Sequence, residues 1–176
     1  QGGMVPGQSG ERLCERSATA SRGGLIEEVN MGNGVNGSMV HKIYLSGPLF
    51  SRGEIAWGER VKRFLEDRLD GVLILWPHEL ISCQATAEQI FQANLQALNE
   101  CDIMVAMLDG SQVDDGTAWE IGYFFMQGKK IMGLRTDFRR GGETDNSRVN
   151  LMIECSCQAV ASGLEELGAN LLRLLD

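Results

Sequence analysis

Ile103-Met104-Val105-Ala106-Met107-Leu108, followed shortly by Asp114-Asp115-Gly116-Thr117-Ala118-Trp119-Glu120-Ile121-Gly122-Tyr123, is the stretch that decides the architecture of this chain. The first part is an unbroken apolar run of strand length. The second opens with cap-type residues and continues through Ala118, Trp119, Ile121, Tyr123, Phe124 and Phe125 to Gly128, so the spacing predicts a helix over 117–127. Acidic residues therefore fall in a loop after a strand and in the first turns of the next helix. In an open parallel sheet, that edge is where ligands bind.

Outward from this core the same alternation repeats. Apolar runs predict strands over 42–46, 72–76, 103–108 and 130–134, with a weaker one over 158–161. Between them, helical spacing is read over 55–69, 85–100 and 117–127, with a short helix at 149–155 and a final one over 164–175. Strands that are apolar throughout and alternate with helices imply a parallel sheet covered on both faces. The expected fold is a small doubly wound α/β domain, flavodoxin-like or Rossmann-like, with about five strands flanked by helices. Residues 1–40, rich in Gly and without strand or helix period, read as a disordered tail or linker, and 41–176 as the folded unit.

Composition excludes several classes of function. The chain has 176 residues, 43% of them hydrophobic, and a formal net charge of −8. Such a balance, with no basic stripe, argues against a nucleic-acid or anionic-membrane partner. The longest apolar runs are too short to span a bilayer and the N-terminus lacks a secretory h-region, so a soluble, cytoplasmic protein is expected. The five cysteines include no CxxC pair and there are two histidines, which leaves no evident zinc site, disulfide framework or Ser-His-Asp relay. No GxGxxG follows a predicted strand, as the dinucleotide fingerprint requires, and no Walker loop is present. An enzyme built from these residues would draw its acid and base from carboxylates.

The candidates are then Asp114, Asp115 and Glu120. Gly116, with small Thr117 and Ala118, is read as a sharp turn that brings the three together, and close carboxylates push each other's pKa values apart. The plainer reading is helix capping, since Asp and Thr start helices and acids suit a first turn. Glu120 lies beyond the cap among apolar neighbours, where a carboxylate needs a partner or a chemical task. Tyr44-Leu45-Ser46-Gly47-Pro48-Leu49-Phe50 ends the first strand at the same sheet edge, and Gly47-Pro48 suits a backbone passing close to a ligand; the alternative is a plain strand with a half-buried Tyr44. Asn94 either reaches the cleft or is a solvated helical residue, and Asn150 either caps a helix or contacts a ligand. Arg135, Asp137, Arg139 and Arg140 read as a solvent-exposed loop with weak local ion pairs. Trp57, Trp76 and Trp119 are expected in the core or the cleft wall, and Cys155 and Cys157 are expected to pack rather than react.

Taken in order, these pieces resemble the nucleoside 2-deoxyribosyltransferase family. The resemblance runs over 42–152: a strand ending Tyr-x-x-Gly-Pro-Leu-Phe, a helix carrying Asn94 ahead of Cys101-Asp102-Ile103, the Asp-x-Gly-Thr-Ala-x-Glu-x-Gly block ending at Gly122, and Asn150-Leu151-Met152. It implies that Glu120 is the nucleophile that attacks C1′ of a 2′-deoxyribonucleoside, forming a covalent deoxyribosyl enzyme that a second free nucleobase resolves with retained configuration. It also implies that Asp114 handles the proton of the leaving and entering base, and that Tyr44 positions the nucleophile. Gly47, Pro48, Asn94, Asp115, Gly116 and Met152 fall in the substrate site by the same correspondence. Asn150 is implied to reach a neighbouring subunit's sugar site, hence a homo-oligomer, dimer or higher. No metal or organic cofactor is implied. Asn94 stands where many relatives carry aspartate, and the chain ends Leu174-Leu175-Asp176 without the aromatic extension of some members; both bear on substrate range.

The chemistry agrees with that implication, because double displacement at a carboxylate is how retaining glycosyl chemistry proceeds. The nearest rival is an N-hydrolase of deoxynucleosides or their 5′-monophosphates, with Ser51 and Arg52 as phosphate donors. Beyond it stand a non-catalytic nucleoside-binding domain and a flavodoxin-like signalling domain.

Overall fold

The computed structural model describes residues 40–80 and 84–175. The expectation of a disordered tail falls almost entirely on 1–39, outside the described residues. Elements follow in the order β1 His41–Ser46, α1 Arg52–Arg68, β2 Val72–Leu75, α2 Pro77–Leu80, α3 Ala87–Glu100, β3 Ile103–Met107, α4 Asp115–Met126, β4 Lys130–Leu134, α5 Leu151–Glu154, β5 Ala159–Ala161 and α6 Leu164–Leu175. The strands form a five-stranded sheet in the order β2-β1-β3-β4-β5, and every neighbouring pair is parallel. This is the doubly wound α/β fold that the alternating pattern predicts.

Alternation within each strand builds two cores. Ile43 and Leu45 of β1, with Ile103, Val105 and Met107 of β3, pack against Val61 and Leu65 of α1 and Leu167 and Leu171 of α6. The opposite parity, Tyr44, Met104 and Ala106, packs against Ala97 and Leu98 of α3 and Ile121 and Phe124 of α4. β3 is buried at every position because it lies in the middle of the sheet with helices on both sides. β2 departs from the expectation of burial on both faces: it is an edge strand, and Leu73 stays 49% exposed.

Capping moves the helix starts from their predicted places. Ser51 accepts from Glu54 N while the Glu54 carboxylate receives Ser51 N, so α1 begins at Arg52 rather than at residue 55. Thr86 and Gln89 make the same box for α3. At the other end of α4, Gly128 adopts φ 70°, a left-handed conformation that closes the helix at low steric cost. Pro77, read as a strand stop, also opens the short α2, for which no period was visible.

Of the three tryptophans, Trp76 is buried, Trp57 is partly buried, and Trp119 is 51% exposed. Trp119 stacks on Tyr123 with ring centroids 5.3 Å apart and meets the edge of Phe91 at 5.9 Å, so it covers the α3–α4 seam from outside. Trp76 sets a steric limit on α1, because a Cβ at Gly58 would stand 2.6 Å from its Cζ2. Gly58→Ala is therefore expected to lose about 1–3 kcal/mol of stability despite the higher helix propensity of alanine, measured by chemical denaturation.

Candidate active site

The order of the sheet places β1 beside β3, and the chain leaving β3 enters α4 over the face that carries Tyr44. Tyr44 and Ser46 are two residues apart on β1, so their side chains share that face. Both are fully buried. Glu120, in the second turn of α4, lies across from them. Its Oε1 accepts from the Tyr44 hydroxyl at 2.7 Å and its Oε2 from the Ser46 hydroxyl at 2.5 Å. A carboxylate set among apolar residues thus has a donor on each oxygen.

Burial raises the pKa of Glu120, opposed first by the Ser46 hydrogen bond and then by Tyr44, with the charge of Asp114 adding to the rise. The Tyr44 hydroxyl is pushed far up by its own burial and by the adjacent Glu120, so it stays a proton donor. Cys101, behind Tyr44 in the same core, is pushed up to about 12 by burial and remains a thiol.

Asp114 is the N-cap of α4: its Oδ2 accepts from Thr117 N at 2.8 Å and from Thr117 Oγ1 at 3.0 Å. The capping reading thus holds for Asp114, and its charge is also felt at Glu120. Gly116 does not form the sharp turn read from the sequence. It belongs to the first turn of α4, and the left-handed residue in the loop is Gly110, with φ 122°. Asp115 is exposed and its Oδ1 accepts from the neighbouring Gly116 N. At Gly47 the close approach is to Met107, whose Cβ would lie 3.0 Å from an added Cβ, so packing against β3 requires that glycine. Pro48 follows in a partly buried loop.

Asn94 lies on the α3 face shared with Ala97 and Leu98, one turn nearer the carboxyl edge of the sheet, and its Oδ1 is buried with no hydrogen-bond partner among the described residues. Asn150 caps α5 through Met152 N and donates to Glu143. These bonds stay within its own loop, and Met152 is 71% exposed. Within one chain, then, Tyr44 and Glu120 are joined directly, Asp114 stands nearby, and Asn150 and Met152 face outward.

Arg135 corrects the expectation of a solvent-exposed loop. It is 3% exposed, and its guanidinium donates to the carbonyls of Leu108, Gly110 and Arg139. Asp137 and Arg139 do form a local ion pair. Ser46 was not singled out by sequence, although its place two residues after Tyr44 on one strand face was a usable signal. Cys157 packs with its thiol raised to about 12 by burial, while Cys155 is exposed. Among the described residues there is no group of three or more His, Cys, Asp or Glu placed to hold a metal, and no helix is long and apolar enough to cross a membrane.

A profile of the nucleoside 2-deoxyribosyltransferase family matches residues 43–152, the stretch that carries most of β1, then α3, β3, the α4 acids and the start of α5. The chain belongs to that family. Its members are enzymes acting on N-glycosidic bonds. A Thermofilum pendens protein provisionally named 2′-deoxynucleoside 5′-phosphate N-hydrolase 1 is 27% identical over 99 residues, 53% of this chain and 66% of that protein, so the match spans just under two thirds of the relative. The structure of the 2-deoxyribosyltransferase of Bacillus psychrosaccharolyticus superposes with a TM-score of 0.63 at 24% identity, covering 76% of this chain and 95% of that one. The Leishmania mexicana 2-deoxyribosyltransferase gives 0.62 at 24% identity, covering 76% and 97%. At these identities the likeness establishes the shared fold.

Because Asp114 both caps α4 and lies near Glu120, its two parts can be separated. Asp114→Ala is expected to lose about 1 kcal/mol of stability through the missing cap. Asp114→Asn keeps an acceptor oxygen and should unfold at nearly the wild-type denaturant midpoint, while any activity that needs the carboxylate falls in both variants.

Proposed function

We propose that the protein transfers 2-deoxyribose between nucleobases by double displacement at Glu120. The observation that carries this reading is the partly buried Glu120 carboxylate at the carboxyl edge of the sheet, held by the Tyr44 and Ser46 hydroxyls. Glu120 attacks C1′ of a 2′-deoxyribonucleoside from the face opposite the base. The C1′–N bond breaks and the base departs with a proton supplied from the Asp114 side of the pocket. Asp114 has an oxygen for this task, because the capping bonds fall on Oδ2. A second free base then attacks C1′ and returns a proton to the Asp114 side, the ester bond to Glu120 breaks to regenerate the carboxylate, and the product retains the original configuration.

Positive charge develops on the sugar ring in both steps, and a 2-deoxy sugar bears it better because no 2-hydroxyl withdraws electrons. A raised Glu120 pKa sets the acid limb of the reaction: the nucleophile is ionised above that pKa, and activity is lost as the pH falls through it. Asn94, with its unpartnered Oδ1, is assigned to the nucleobase. Asp115, Gly116, Gly47 and Pro48 are assigned to the walls of the same site. Asn150 and Met152, exposed on α5, are assigned to the sugar site of a neighbouring copy in a homo-oligomer.

The second reading is hydrolysis, favoured by the similarity to the Thermofilum protein, whose name specifies a 5′-phosphate substrate. Two features weigh against a 5′-phosphate here. The loop after β1, Gly47-Pro48-Leu49-Phe50, is apolar, and the amides of Phe50 and Ser51 at the start of α1 already donate to the Glu54 carboxylate.

Incubation with deoxyinosine or thymidine, with and without adenine, and chromatography of the products test the proposal. The expected result is deoxyadenosine that appears only with adenine and disappears in Glu120→Ala, with at least a hundredfold loss on the order of that seen when a covalent nucleophile is removed. Free base and deoxyribose formed whether or not adenine is present would replace transfer by hydrolysis. Undiminished turnover in Glu120→Ala would remove Glu120 from the mechanism.

A further inference from the structure

Ser46 is the last residue of β1, fully buried, beside Ala106 in the register of the adjacent strand. Its hydroxyl is spent on Glu120 Oε2 while Tyr44, one strand repeat earlier on the same face, is spent on Oε1. A carboxylate held through one oxygen turns about its last torsion; held through both, it is fixed in plane and direction. We infer that Ser46 is a positioning residue for Glu120, a second donor that fixes the carboxylate oxygen left free by Tyr44 and keeps the group ionised in an apolar setting. The inference rests on the reading of Glu120 as the nucleophile.

The arrangement is compatible with attack on C1′. Each carboxylate oxygen has two lone pairs, so a hydrogen bond to one leaves the other for the sugar carbon. When the ester later breaks, the negative charge returns to a carboxylate already provided with both donors, and no group has to move to receive it.

Among the described residues, the charged and titratable groups facing Glu120 are few. Tyr44 comes from β1 and Asp114 from the cap of α4, with Cys101 behind Tyr44 at the end of α3. Asp114 and burial both disfavour the ionised carboxylate, and Tyr44 and Ser46 oppose them. With Ser46 removed, the remaining balance moves toward the protonated acid. The acid limb therefore shifts to higher pH.

The test uses Ser46→Ala and Ser46→Thr beside the wild-type protein. In Ser46→Ala the acid limb of kcat/KM is expected to rise by about one pH unit, the size of shift that loss of a hydrogen bond to a carboxylate produces. On the plateau, kcat is expected to fall about tenfold with KM little changed, since the missing contact orients the nucleophile and does not bind the substrate. Ser46→Thr keeps the hydroxyl and should return both toward wild type. In parallel, the Glu120 carboxyl carbon of protein labelled with carbon-13 at glutamate Cδ is titrated by NMR and assigned by its loss in Glu120→Gln. Its midpoint should rise in Ser46→Ala and return in Ser46→Thr. An unchanged midpoint in a folded Ser46→Ala protein overturns the inference. If the wild type transfers no deoxyribose, the NMR titration still decides the role of Ser46, and the failure falls on the reading of the reaction instead.

Discussion

A carboxylate can be drawn partly out of water at the edge of an apolar sheet only if donors meet its oxygens, and the candidate site of this protein is organised around that requirement. Glu120 meets it through two hydroxyls that a single strand presents on one face, Tyr44 and Ser46. The strand geometry supplies the match, because residues two apart point the same way about 7 Å apart along the chain. Everything else near Glu120 is shaped by this contact. β1 must lie beside β3 so that α4, entered from β3, crosses the Tyr44 face, and Gly47 must lack a side chain so that the chain leaving β1 can pass Met107.

The same geometry explains why the pieces sit where they do in the sequence. In the order β2-β1-β3-β4-β5, the crossover that follows β1 goes outward to β2 and returns through α3 to β3 on the other side of β1. The helices therefore divide between the faces, α1 and α6 on one and α3 and α4 on the other. The loops after β1 and β3 lead to helices on opposite faces at this point, the position at which open α/β sheets bind ligands. Residues far apart in sequence, Tyr44 and Glu120, become neighbours there because parallel strands all deliver their carboxyl ends to one edge.

Much of this was legible in the sequence, for physical reasons. The apolar stretches of β1, β3 and β4 are of strand length and alternate with helical spacing, which is the pattern of a parallel sheet buried on both faces. Glu120 was legible because a carboxylate among Trp119, Ile121 and Tyr123 has no cheap explanation. Ser46 was missed because a serine at a strand end looks like a loop residue until a partner arrives from a distant helix, and distant partners leave no mark on local periodicity. Arg135 was misread for the same reason: its neighbours are charged and polar, yet its guanidinium turns inward to main-chain carbonyls. The turn assigned to Gly116 failed because an Asp cap starts a helix earlier than the hydrophobic period reveals, so α4 had already begun. Asn150 remained open between cap and ligand in the sequence, and in the single chain it is a cap.

Arg135 shows how the loops after β3 and β4 are held together. Its donors join the loop after β3, through Leu108 and Gly110, to the loop after β4, through Arg139. Asp109 ties the same two segments from the other side, accepting from Thr136 N, Thr136 Oγ1 and Asp137 N, and Asp137 in turn accepts from Gly110 N. A buried guanidinium matched to fixed carbonyls is costly to disturb, since each carbonyl it releases would be an unsatisfied acceptor. The loop that leads to the Asp114 cap is thus braced by the chain itself, as is the Glu120 carboxylate. Asn150, the N-cap of a four-residue helix, and Met152 within that helix are, by contrast, exposed. The braced part of this edge holds Tyr44, Ser46 and Glu120 in fixed register, whereas Asn150 spends its polar atoms on Glu143 and Met152 N and Met152 leaves its side chain exposed.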